Sequence, residues 1–135
     1  MTRENDPTLL PTWAAVEMEH EHMYTLFSNL EEAEERDEAL EALGQLETWL
    51  QRHFAQEEKP GGFLERICTG PGEADALREE HRSLLVLIER TRDVVADVTA
   101  PWNEVAQKIM GDIGSGLRAH ENRERTLAHR RLGLS

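Results

Sequence analysis

The chain has 135 residues, a length that suits one domain with a single hydrophobic core. Its 27 acidic and 15 basic residues give a formal net charge of −12, which excludes nucleic acid and an anionic membrane surface as expected partners, because both attract basic faces. The single cysteine cannot form an intramolecular disulfide, and no apolar run approaches the roughly 20 residues that span a bilayer. Since the polar N-terminus also lacks the apolar core of a signal peptide, we expect a cytoplasmic protein.

Two helices are predicted in the first half of the chain. Apolar residues recur every three or four positions over about residues 8–35, and prolines near the start suit the first turn of a helix. A second helix is predicted over about residues 37–59, with Asp37 as its N-cap, and Pro60-Gly61-Gly62 ends it. A broken connection over residues 63–72 is expected to follow.

Two more helices are predicted over about residues 73–97 and 102–132. Three glycines inside the last one, Gly111, Gly114 and Gly116, each cost about 1 kcal/mol relative to alanine. They indicate a kink or a close helix–helix approach, or else a locally weak helix end. Four long helices without a strand pattern predict an all-α, antiparallel up-down-up-down four-helix bundle, formed by a single domain over residues 1–135.

The pattern His-x3-Glu occurs twice, at His53–Glu57 and His120–Glu124. Residues four apart on a helix point in nearly the same direction, and both pairs continue the apolar stripe of their helix. One such pair alone is typical of an ordinary surface contact, but two core-facing copies on alternating helices are not. Because a buried carboxylate is costly without a cation or a strong partner, the pattern predicts bound metal ions.

Each of the other two helices is expected to add one histidine. His81 lies on the apolar stripe of the third helix. The first helix offers His20, which lies on the apolar face, and His22, which is followed by polar residues at +3 and +7. We therefore choose His20 as a ligand and keep His22 as its alternative. The predicted metal ligands are His20, His53, Glu57, His81, His120 and Glu124.

Four imidazoles and two carboxylates without a thiolate favour iron or manganese over a structural zinc ion. Each glutamate can bridge two metals, and four histidines leave coordination positions open for O2, peroxide or NO. Tyr24, one turn after His20, is predicted to be a hydrogen-bond donor or phenolate ligand beside the site, or else a core tyrosine. Three glutamates that flank the ligands are expected to face solvent, namely Glu21, Glu58 and Glu80.

In Glu19-His20, His53-Phe-Ala-Gln-Glu57-Glu58, Glu80-His81 and His120-Glu-Asn-Arg-Glu124, the chain resembles the hemerythrin-like family of HHE cation-binding domains. The resemblance extends over about residues 13–132. It implies a four-helix bundle with a non-heme di-iron centre, bridged by two carboxylates and an oxo or hydroxo group. The four histidines would be terminal ligands, and Glu57 and Glu124 would be bridges. Iron is thus the first expectation, ahead of manganese and zinc.

The chain departs from the oxygen-carrying members of that family at two positions. Leu77 stands where the carriers have another histidine, and Glu124 stands where they have an aspartate. The resulting set of four histidines and two glutamates resembles the branch that includes iron–sulfur repair proteins and small bacterial hemerythrin-like proteins. A missing histidine favours reactivity, of a peroxidase, catalase-like or oxidase kind, over reversible O2 carriage.

Three functions from different classes follow from these features. The first is a di-iron protein that binds or processes O2, peroxide or NO, with a role in oxidative or nitrosative stress. The second is an iron-dependent sensing or binding module, or an iron–sulfur repair or iron-donating protein. The third is a metal-free helical interaction domain. In each case we expect a monomer or a weak dimer.

Overall fold

A computed structural model describes residues 5–134, and every regular element in this part of the chain is helical. The outermost residues of the predicted domain, 1–4 and 135, lie outside the described residues. A short 3-10 turn, Pro7–Leu9, is followed by five α-helices. They are α1 (Leu10–Glu31), α2 (Arg36–Glu58), α3 (Phe63–Ile67), α4 (Glu73–Ala96) and α5 (Trp102–Leu132). The predicted all-α class is confirmed, and none of these helices is long and apolar enough to cross a bilayer.

The four long helices form a closed ring of neighbours, in which α1 and α4 each pack against both α2 and α5. Contacts between neighbours pair residues in opposite order, as Glu58 with His81 and Glu47 with Arg92 do between α2 and α4. Neighbouring helices therefore run antiparallel, as the sequence predicts. The short helix α3 packs against α2, α4 and α5.

The prediction of a broken connection over residues 63–72 was wrong for its first part, which forms α3. Phe63, Leu64 and Ile67 lie on one face of this helix and are buried in an apolar cluster, so a single turn is stabilised by packing. Gly61 precedes the turn with a φ of +72°, a conformation that favours glycine.

Two helix ends also differ from prediction. The first helix ends at Glu31, before an acidic segment with little apolar surface to bury. Glu35, not Asp37, is the N-cap of α2. Asp37 lies in the first turn, where its negative charge complements the helix dipole.

The glycines of α5 allow close helix–helix approach, and the helix continues unbroken through them. A Cβ added to Gly114 would lie 3.0 Å from Cζ of Phe27 on α1, and one added to Gly116 would lie 2.9 Å from Cδ2 of Leu84 on α4. A Cβ on Gly111 would meet nothing within 4 Å of the described structure. Close packing against neighbouring helices therefore explains the glycine at positions 114 and 116.

The hydrophobic core consists of two apolar clusters, and a polar layer separates them on α1, α4 and α5, whereas α2 ends within this layer. One cluster lies around Phe27, Leu46 and Ile113, and the other lies around Trp13 and Leu77. The buried polar residues between the clusters are His20, His53, Glu57, His81, His120 and Glu124. This layer positions the candidate site in the middle of the bundle.

Candidate metal centre

The periodicity of each helix explains why the six predicted ligands meet in this layer. On α1, Val16, His20 and Met23 follow one another at spacings of four and three, so the imidazole takes a place in the buried stripe. On α5, Leu117, His120 and Glu124 do the same. None of the six predicted ligands is more than 4% exposed.

The ligand atoms fall into two groups that share both glutamates. Within each group, the atoms lie within 4.8 Å of one another. The first group comprises His20, His53, Glu57 and Glu124, and the second comprises Glu57, His81, His120 and Glu124. Each group contains two imidazoles and one oxygen from each carboxylate, which is a donor set able to hold one metal ion.

Glu57 directs its two oxygens at histidines of different groups. Its Oε2 lies 3.2 Å from Nε2 of His53, and its Oε1 lies 3.2 Å from Nε2 of His81. Glu124 repeats this arrangement, with Oε1 at 3.0 Å from Nε2 of His20 and Oε2 at 3.2 Å from Nε2 of His120. Both carboxylates therefore lie as bridges between the two groups.

The outward nitrogen of each imidazole, Nδ1, lies against another glutamate. Glu58 is 2.7 Å from His81, and Glu80 is 2.6 Å from His120. The remaining pairs are Glu19 with His53 at 2.9 Å and Glu121 with His20 at 3.5 Å. The prediction that Glu58 and Glu80 face solvent is correct only in part, since each side chain is half-buried and the packing of α4 and α5 brings a histidine to it. Glu21 is exposed, as predicted.

Glu19 and Glu121 were missed as contacts of the site by the sequence reasoning. Each is adjacent in sequence to a predicted ligand, so its side chain projects about 100° around the helix from the buried stripe. That position faces a neighbouring helix in a bundle. The pairs Glu19-His20 and His120-Glu121 could therefore have indicated a glutamate beside the site. Helix packing alone decides which histidine each glutamate reaches.

The electrostatics of the cluster are set by burial and by the contacts between its carboxylates and imidazoles. Burial and the adjacent Glu124 raise the pKa of Glu57 well above its usual value. Burial alone would raise the pKa of Glu124, but close contacts with His120, His20 and His81 hold it well below the usual range. Burial lowers the pKa of His53. Burial also acts to lower the pKa of His120, but its contact with Glu124 and its hydrogen bond to Glu80 outweigh burial and raise that pKa to about 10.

Six buried side-chain atoms find no hydrogen-bond partner among the described residues, and all belong to the predicted ligands. They are Nδ1 of His20, both ring nitrogens of His53, both carboxylate oxygens of Glu57 and Oε2 of Glu124. Some of these atoms have a neighbour at contact distance, but the alignment is not that of a hydrogen bond. Four of them face the inside of the layer, whereas the two Nδ1 atoms face glutamates outside it. Buried polar atoms without partners are costly, and a cation coordinated by the four inner atoms removes that cost. The residues therefore fit a metal ion in each group.

The structure places His22 and Tyr24 outside both groups. His22 is exposed, and its ring lies 5.7 Å from that of Trp49. The Tyr24 hydroxyl donates to Oε1 of Glu121 at 3.0 Å, and burial and this glutamate raise the pKa of Tyr24 to about 12. Tyr24 therefore stays protonated and acts as a donor to the carboxylate beside His20.

Two clefts reach the first group from the outside of the α1–α2 pair. A cleft of about 260 Å³ has Glu57 in its lining, and another of about 360 Å³ has His53. Glu19 and Gln56 line both clefts and lie between them. Ala15 lines the first cleft from the exposed side of α1.

The comparison with known families agrees with this geometry. The model of the family described as "Hemerythrin HHE cation binding domain" matches residues 12–132, a range that contains all six buried polar residues of the layer. No curated protein and no solved structure matches the chain. The sequence resemblance is thus confirmed at the level of the family, which implies cation binding, and the two donor groups are able to hold metal. The chain belongs to the hemerythrin family of HHE cation-binding domains.

Proposed function

We propose that the protein holds two iron ions, one in each donor group, and binds or processes a small oxidant such as O2, peroxide or NO. The observation that carries this proposal is the sharing of Glu57 and Glu124 by both groups. A shared carboxylate brings two cations close together and lowers their repulsion, as bridging ligands do in two-metal sites. Bound iron would supply one-electron redox chemistry and coordination positions open to a small ligand.

The number of protein donors supports an open site. Two imidazoles and two carboxylate oxygens give four donors in each group, fewer than the six that iron commonly accepts. Leu77, one turn before His81, is fully buried in the apolar cluster around Trp13. An apolar side chain therefore occupies the position from which a fifth histidine would reach the second group.

Access from solvent also supports the processing of an external ligand. Glu57 and His53 each line a cleft on the α1–α2 face, so a small molecule can approach the first group without unfolding of the bundle. The cleft beside Glu57 is about 260 Å³, which exceeds the size of a diatomic molecule or peroxide.

The main experiment is anaerobic reconstitution with Fe(II), followed by elemental analysis. We expect two iron ions per chain, and near-ultraviolet absorption that appears when O2 or peroxide is added. Glu57→Ala and Glu124→Ala should each lower the iron content sharply, because each residue serves both groups. A wild-type protein that takes up fewer than two iron ions per chain would overturn the proposal.

The access route is tested with Ala15→Trp, which fills the cleft beside Glu57, and with Ala14→Trp as its matched control. Both alanines are exposed on α1, but Ala14 does not line the cleft in the described structure. We expect slower NO binding to the reduced, iron-loaded Ala15→Trp variant at unchanged iron content, and wild-type rates for the control. Equal rates in all three proteins would contradict this route.

Iron-dependent sensing and iron donation remain alternative uses of the same donor set. They are distinguished by the fate of the metal after reconstitution. Rapid loss of iron to an apo-acceptor protein, with no consumption of peroxide, would favour donation over oxidant processing.

A further inference from the structure

Four glutamates outside the donor groups form a ring around the bundle, and we call them the outer ring. Each contacts Nδ1 of a histidine on the next helix, and all four contacts run in the same direction from α1 to α2, α4, α5 and back to α1. The pairs are Glu19 with His53, Glu58 with His81, Glu80 with His120 and Glu121 with His20. None of the four belongs to either donor group.

The common direction follows from the antiparallel topology. On α1 and α4 the outer-ring glutamate comes just before a predicted ligand, at Glu19 and Glu80. On α2 and α5 it comes just after one, at Glu58 and Glu121. Successive side chains are rotated by about 100° around a helix. Seen from one end of the bundle, the preceding residue on one helix is displaced in the same rotational sense as the following residue on an antiparallel neighbour. The arrangement is therefore a regular feature of the bundle.

We propose that the outer ring positions the four imidazoles and stabilises the trivalent state of the bound metal pair; this inference rests on the proposed function. A carboxylate at Nδ1 accepts a hydrogen bond from the N–H of that nitrogen, which fixes the tautomer in which Nε2 carries no proton and can bind the metal. The inner distances agree, since Nε2 of every one of these histidines faces Glu57 or Glu124.

The charge around the site argues for the trivalent state. Four outer-ring carboxylates and the two bridging ones make six negative charges about the layer. Two trivalent ions balance six carboxylates, whereas two divalent ions leave a negative excess. That excess costs most at the two bridging carboxylates, which are buried, and less at the outer-ring ones, which are 15% to 41% exposed. Arg123 lies 2.9 Å from Glu80 and offsets part of this charge at the surface.

The outer-ring contacts are shorter and better aligned on one side of the bundle. Hydrogen bonds join Glu58 to His81 and Glu80 to His120. Glu19 is 41% exposed, lines both clefts and contacts His53 without hydrogen-bond alignment. Because exposed charges are screened, Glu80 should influence the metals more strongly than Glu19.

The test compares Glu80→Gln with Glu79→Gln, its neighbour on α4. Each substitution removes one carboxylate and one contact to an arginine, Arg123 or Arg82, but only the first removes a contact to a histidine. In Glu80→Gln we expect a positive shift of the reduction potential of the iron-loaded protein. We also expect zinc affinity about 10- to 100-fold lower than in wild type. In the zinc-loaded protein, the Nδ1–H proton of His120 should exchange faster with water, as measured by NMR.

The outcomes separate the two proposals. A reduction potential and zinc affinity in Glu80→Gln equal to those of Glu79→Gln would overturn the role of the outer ring and leave the di-iron proposal standing. Wild-type protein that takes up fewer than two metal ions would overturn both. If Glu80→Gln does not fold, the same comparison is made with Glu58→Gln, which removes the contact to His81.

Discussion

Replacement of Glu57 by glutamine should act differently on the metal-loaded and the metal-free protein. Without metal, Glu57 is a buried carboxyl whose pKa is raised by burial and by Glu124. A raised carboxyl pKa contributes stability at low pH that is lost as the pH rises through the folded-state value. The neutral amide of a glutamine does not ionise, so the variant loses no stability in this way. Metal-free Glu57→Gln should therefore melt at or above the wild-type temperature at pH 7. With metal present, the variant loses the bridge between the two groups.

The size of the metal effect can be estimated. A ligand at 100 times its dissociation constant stabilises the folded state by about 2.7 kcal/mol. Unfolding entropy of about 2.1 cal/mol/K per residue gives about 0.28 kcal/mol/K for a chain of 135 residues. The melting temperature of the wild type should therefore rise by about 10 °C on metal addition. Because Glu57 belongs to both donor groups, its substitution should remove most of that rise.

The assay is thermal unfolding, followed by circular dichroism, with zinc and with a chelator. Glu41→Gln is the control, since Glu41 is exposed on the same helix. The Glu41→Gln variant should show the full wild-type rise in melting temperature on metal addition. Two results would refute the reasoning, namely a wild-type rise on metal addition in Glu57→Gln, or metal-free Glu57→Gln that melts several degrees below the metal-free wild type.

Three further predictions concern packing, the cysteine and protons. Gly114→Ala should lower the free energy of unfolding by about 1 kcal/mol, because its Cβ would press on the buried Phe27 ring, whereas Gly111→Ala should raise it by about as much in urea titrations. Burial raises the pKa of Cys68 to about 11, so iodoacetamide should modify it at pH 8 far more slowly in the native protein than in denaturant. Metal uptake at pH 7 should release protons, since the pKa of His120 is about 10 in the metal-free protein and a ligand imidazole must be neutral. Calorimetry in two buffers of different ionisation enthalpy measures that release, and a buffer-independent heat would contradict it.

Local periodicity allowed the choice between His20 and His22 to be made from the sequence. The side chains of His20 and His22 are two residues apart and therefore point about 200° apart around the helix, so only one of them can join the apolar stripe. The structure buries His20 between Val16 and Met23 and leaves His22 exposed. That His20 binds a metal ion stays a prediction, which elemental analysis of a His20→Ala variant can examine.

The sequence was less informative wherever a contact joins two helices. Glu58 and Glu80 lie off the buried stripes of their own helices, which is why solvent exposure was expected of them. The neighbouring helices bring His81 and His120 to them. The helical turn α3 was missed for a related reason, since five residues are too few to show a period and are helical through packing alone.

The sequence by itself determined the helical class, the family and the six side chains that face the middle of the bundle. Each of these depends on residues within a few turns of one another, and the spacing of such residues on a helix is fixed by 3.6 residues per turn. Tertiary structure alone decided the partition into two donor groups, the sharing of both glutamates, the outer ring and the clefts on the α1–α2 face. Those features join residues as far apart as His20 and Glu124, and such contacts depend on the order, direction and rotation of packed helices.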